Sequence, residues 1–121
     1  MTDVVKIPCA RCGAVAAEFS LLPPVTANES AQYRLQRTGF IAQVTKFGKA
    51  GELRRLLEMI RSADHAAARS IDPDFVAFHC RACDRDYCQD CWRIGPPEFD
   101  EGFYDFTRAD CPEGHAQIVD D

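Results

Sequence analysis

Six of the seven cysteines in this 121-residue chain fall in three Cys-x-x-Cys pairs, and nothing else in the sequence constrains the fold as strongly. The pairs are Cys9 and Cys12, Cys80 and Cys83, and Cys88 and Cys91; the segment CPEGH adds Cys111 and His115 as a fourth. A pair at this spacing puts two donor atoms on one tight turn, as metal knuckles do. The odd number of cysteines argues against a disulfide framework. No apolar run reaches the roughly 20 residues of a membrane helix, and the start MTDVVKIPCARCG lacks a charged-then-apolar leader. The expected compartment is therefore the reducing cytoplasm, where such thiols serve as ligands. Structural zinc closes a tetrahedron of four sulfur or nitrogen donors, so eight donors mean two Zn2+ ions with none left over. His79, beside Cys80, is the alternative to His115 as eighth ligand; His115 is preferred because it completes a pair. His65 reads as a surface histidine.

The count leaves the grouping open. The four thiols of HCRACDRDYCQDCW, residues 79–92, could hold one ion and leave Cys9, Cys12, Cys111 and His115 for the other. Alternate pairs could equally combine.

The length suits one domain spanning residues 1–121, and the pattern predicts an α+β class. DVVKIPCARCGAVAAEF reads as two strands around the turn of Cys9 and Cys12, with Gly13 supplying a backbone angle that other residues disfavour. LLPPVTANES, residues 21–30, is a connection, and a strand resumes at Tyr33. From there the alternation of apolar residues changes parity between Arg37 and Phe40, which predicts a bulge at Thr38–Gly39. One long helix is expected over about 51–70. Its stripe comprises Leu53, Leu56, Leu57, Ile60, Ala67 and Ile71, and Pro73 stops it. Asp64 projects near that stripe and is expected to pair with an arginine or cap a backbone group. A short helix is expected from Cys88, then a loop at Pro96–Pro97 and a hairpin turning at Glu101–Gly102 that buries Phe99, Phe103 or Phe106. A last strand follows His115.

Charge is unevenly spread. Residues 34–69 carry eight basic and three acidic side chains, +5, so a chain of net −5 is −10 elsewhere. Poles of opposite sign suit a protein partner better than phosphates or a membrane.

The segment HCRACDRDYCQDC resembles the middle of a FYVE-type finger, where Cys-Arg-x-Cys is followed after four residues by Cys-x-x-Cys. FYVE, RING and PHD domains share a two-zinc cross-brace built on treble-clef-like elements. The resemblance implies that Cys9 and Cys12 join Cys88 and Cys91, while Cys80 and Cys83 join Cys111 and His115. The 67 residues between Cys12 and Cys80 would be an inserted strand and helix region, about 24–73, packed on the brace or projecting from it. The basic run that grips a phosphoinositide in FYVE domains is missing from DFVAFHCR, so lipid binding is not expected. RING domains recruit a conjugating enzyme charged with ubiquitin or a related modifier. By position that surface would involve Ala10, Arg11, Trp92, Ile94 and Pro112, although Trp92 reads equally as a core aromatic. Closed thiolate sites leave no position for a reactive water, and PCARC lacks the upstream His-x-Glu of zinc deaminases. The expected role is protein recognition: a RING-like ligase component or, alternatively, a zinc-stabilised scaffold with no link to conjugation.

Overall fold

The computed structural model of the protein describes residues 3–24 and 32–121. Four strands, β1 (Asp3–Pro8), β2 (Val15–Leu22), β3 (Tyr33–Thr38) and β4 (Val44–Gly48), make an antiparallel sheet in sequence order. β1 and β2 flank the turn of Cys9 and Cys12, as the sequence implies. Ala17, Phe19 and Leu21 alternate inward along β2, giving the sheet one apolar face. The change of parity after Arg37 is not a bulge. The chain leaves β3 at Thr38, turns through Gly39 and Ile41, both at positive φ (85° and 53°), and returns as β4 with Val44 opposite Arg37. A reversal of direction shifts the inward-facing positions as a bulge would, so alternation alone does not separate the two. The expected connection at residues 21–30 falls partly outside the described residues.

The expected long helix is two short ones, α1 (Ala50–Arg61) and α2 (His65–Ile71). α1 ends in a Schellman motif around Ala63, at φ 62°: the Asp64 N–H donates to Met59 O (2.8 Å) and the Ala63 N–H to Ile60 O (3.1 Å). Asp64 then caps α2, its carboxylate accepting from the Ala67 N–H (3.3 Å). Of the stripe, Leu53, Leu56, Leu57 and Ile60 are buried, whereas Ile71, beyond the break, is 45% exposed. A 3-10 turn, Pro73–Val76, follows, capped by the Asp72 carboxylate.

β5 (His79–Cys80) and β6 (Arg85–Asp86) form a minimal hairpin, while β7 (Arg93–Asp100), β8 (Phe103–Asp110) and β9 (Ala116–Asp120) form a third sheet. The helix expected at Cys88 is a single turn, in which the N–H groups of Cys91 and Trp92 both donate to Cys88 O. β7 begins immediately afterwards and runs through Pro96 and Pro97, where a loop was expected. Its hairpin turns at Glu101–Gly102 as read; of the three rings expected to offer a buried side chain, Phe106 is half-buried, whereas Phe99 and Phe103 are 63% and 77% exposed. The ribbon has no core behind its tip to receive them.

Residues between the first and second cysteine pairs pack on the cysteine-bearing elements. Phe19 meets Phe75 and Phe78, Phe78 meets Phe40, Phe40 meets Trp92, and Trp92 meets Tyr87, a chain of rings from the first sheet to the third cysteine pair. Arg37, counted above with the basic pole, is instead fully buried. Its guanidinium donates to the carbonyls of Phe40 and Ala42, both at 3.2 Å, and of Asp74. No helix among the described residues is long and apolar enough to cross a membrane.

Candidate metal centres

The structure brings the eight sequence-predicted donors together in two clusters, each with its donor atoms within 4.8 Å of one another. The first holds Cys9, Cys12, Cys88 and Cys91; the second holds Cys80, Cys83, Cys111 and His115. The pairs therefore interleave, first with third and second with fourth, and the sequential grouping is not adopted.

The separations suit a metal ion better than direct bonding between sulfurs. Cys9 Sγ and Cys91 Sγ are 3.7 Å apart, Cys12 Sγ and Cys88 Sγ 3.5 Å, and Cys83 Sγ and Cys111 Sγ 3.7 Å. Disulfide sulfurs would stand about 2.0 Å apart, and the cysteines are free thiols. A tetrahedron with thiolate bonds of about 2.3 Å has an edge of about 3.8 Å. In the second cluster His115 Nδ1 stands 4.0, 3.2 and 3.4 Å from the sulfurs of Cys80, Cys83 and Cys111, around the roughly 3.6 Å edge of a mixed sulfur and nitrogen tetrahedron. Both clusters can hold a metal ion.

Backbone geometry explains why these turns aim their donors inward. Gly13, Asp84 and Gly114 each adopt positive φ (79°, 55° and 92°), just after the first and second pairs and just before His115. The resulting turns point N–H groups at sulfur: Arg11 to Cys9 (3.4 Å), Cys83 to Cys80 (3.4 Å) and His115 to Cys111 (3.3 Å). Burial pushes the Cys9 thiol up, but the backbone donors of Cys12, Cys88 and Arg11 outweigh it and lower the thiol to about 6. Cys111 is lowered to about 7 in the same way, against burial, by the N–H groups of His115 and Glu113. Cys91 is pushed up to about 12 by burial and by the neighbouring thiols of Cys88, Cys9 and Cys12. A cation would be needed for the remaining thiols of each cluster to ionise beside Cys9 or Cys111, and each cluster has the donor set for one.

A family model described as a domain of unknown function, DUF8328, matches residues 1–121, the whole chain. The chain belongs to the DUF8328 family. No curated protein and no solved structure matches it.

Between the two centres of this DUF8328 chain lies a polar group that sequence reasoning missed. His65, expected at the surface, is only 8% exposed, and its ring stacks on His79 with centroids 3.5 Å apart and planes 8° from parallel. Asp86 Oδ1 accepts from both rings, at 3.1 Å from His65 Nε2 and 2.8 Å from His79 Nδ1, while His79 Nε2 faces Asp84 at 3.0 Å. Burial pushes the Asp86 carboxyl up, but the hydrogen bonds and charges of the two imidazoles hold it below the usual aspartate range. These three side chains are close enough to share an ion. Asp86 Oδ1 already stands within hydrogen-bond distance of a nitrogen of each ring, so the arrangement is accounted for without an ion. A shared carboxylate acceptor suits them better. His79 is thus committed to aspartates, and His115 stands as the eighth donor.

This group also ties the centres together. The Ala10 N–H, on the first knuckle, donates to Asp86 O (2.7 Å), and Gln117 clamps the second knuckle by donating to Ala77 O and His79 O and accepting from the Arg81 N–H. Neither His65 nor Gln117 carried a spacing signal; a histidine at the edge of an apolar stripe was the only hint. The residues expected to face a partner sit on separate elements of the DUF8328 fold. Ala10 and Arg11 are exposed on the first knuckle, Pro112 is half-buried in the Cys111–His115 turn, and Ile94 is 37% exposed on β7. Trp92 is the exception. It is 3% exposed and its indole N–H donates to Phe78 O (3.2 Å), so it is the core aromatic of the two readings.

Proposed function

We propose that this chain is a protein-recognition module held together by two structural Zn2+ ions and performing no covalent chemistry of its own. The interleaving of two complete four-donor sets carries this reading. Seven thiols and one imidazole at tetrahedral spacing select zinc over harder ions. Four protein ligands per ion leave no coordination position for a substrate or a reactive water. Each ion joins knuckles far apart in sequence, so binding the metal and folding are one event.

The narrower reading is a RING-like component that recruits a conjugating enzyme through Ala10, Arg11, Ile94 and Pro112. Interleaved sites support it. The helix that completes the RING groove has no counterpart here, since the Cys88–Trp92 turn runs straight into β7, and this favours the scaffold role.

The test begins with native mass spectrometry, where two zinc ions per chain with all seven thiols reduced are expected. One ion, or a disulfide, would overturn the zinc reading. Titration of the zinc-loaded protein with ubiquitin-type conjugating enzymes, followed by amide resonances, then separates the roles. Shifts centred on Ala10, Arg11 and Ile94 support recruitment; an unchanged spectrum leaves the scaffold role.

A further inference from the structure

The β7–β8 hairpin has no covered face towards its tip. Every residue from 96 to 105 is exposed, and an isolated two-stranded ribbon is marginal in water. This one presents Phe99, Phe103 and Tyr104, 63%, 77% and 43% exposed, together with the carboxylates of Glu98, Asp100, Glu101 and Asp105 and no cation. β7 is the outer strand of its sheet, and because successive N–H groups point to opposite sides, one of the adjacent Pro96 and Pro97 leaves a gap in the donors along that edge. Strand addition is disfavoured at this position, and the exposed side chains of the tip are what the hairpin offers a partner.

Elsewhere on the molecule, β4 and the helices line an apolar cleft of about 280 Å³. Phe47, Leu56, Met59 and Ile71 form its walls, and Lys46 and Arg55 stand at its rim against one carboxylate, Glu52. Phe47 and Ile71 are 61% and 45% exposed. An apolar cavity of about 150 Å³ takes up benzene, so the cleft has room for a phenyl ring.

The two surfaces complement each other in shape and charge, and neither is covered by other described residues of its own chain. We infer that the occupant of the cleft is the hairpin tip of a second copy of this chain, with Phe103 in the cleft and Asp100 and Glu101 meeting Lys46 and Arg55. The contact is head-to-tail. Each copy keeps one free hairpin and one free cleft, so growth continues until a ring closes or a filament forms.

Sedimentation velocity of the metal-loaded protein tests this over a wide range of concentration at low and high salt. Mass is expected to rise with concentration and to fall as salt screens the opposed charges. Phe103→Ser and Arg55→Glu, both at exposed positions, should each weaken self-association at least about tenfold while retaining the metal content of the parent. Mixed together, they leave one intact hairpin and one intact cleft, and should form a dimer of one copy of each that grows no further. A parent protein that stays monomeric throughout, variants that associate like the parent, or a mixture that fails to pair would each overturn the inference.

Discussion

Arg37→Met tests whether a buried cation holds the first sheet to the rest of the fold. Arg37 is 1% exposed, and its guanidinium serves three carbonyls, those of Phe40, Ala42 and Asp74. Burial lowers it to about 10, opposed by the charges of Asp74, Asp120 and Asp72, so it remains a cation at neutral pH. A shift from 12.5 to about 10 corresponds to a net penalty of about 3 kcal/mol on the charged form once those aspartate charges are included. Three hydrogen bonds from a charged donor contribute about 1.5–3 kcal/mol each, roughly 5–9 in all. The net is about 2–6 kcal/mol in favour of the arginine, and methionine would leave the three carbonyls without this donor. Urea unfolding of the metal-loaded protein, read by Trp92 fluorescence, should show a lower midpoint with an unchanged slope. Thermal unfolding should fall by roughly 10–20 °C. Arg37→Lys should resemble Arg37→Met, because one ammonium cannot span carbonyls from both the β3–β4 turn and the 3-10 turn. If Arg37→Met is as stable as the parent or more so, desolvation dominates and the reasoning fails.

Double substitutions test the grouping of the ligands. Cys9→Ala with Cys91→Ala should leave one bound ion, since both residues belong to the first cluster, whereas Cys80→Ala with Cys88→Ala should leave none; sequential grouping reverses the two results in native mass spectrometry. His115→Ala should cost the second ion, measured by zinc release to a colorimetric chelator. His79→Ala should keep both ions yet lower stability by about 1–3 kcal/mol, because Asp86 and Asp84 lose a buried donor.

Much of the site was legible because metal ligation leaves a spacing signature that depends only on local turns. Gly13 marked the first knuckle for the same reason. The hairpin at Glu101–Gly102 and the apolar face of α1 were legible from turn chemistry and periodicity. The break between α1 and α2 was hidden, because Ala63 occupies a left-handed position where glycine would have announced the end of the helix. The β3–β4 reversal was read as a bulge since both produce the same alternation.

The sequence alone therefore determined how many donors there are, where the knuckles lie and what the first two strands do, all matters of a few neighbouring residues. Only the tertiary structure decided which pairs share an ion, because either grouping satisfies the same count of eight. It also decided that His65 and Trp92 are inside while Phe99 and Phe103 are outside. Burial belongs to packing between distant segments: His65 is covered because His79, 14 residues on, stacks against it, and the hairpin tip is bare because no other described part of the chain covers it.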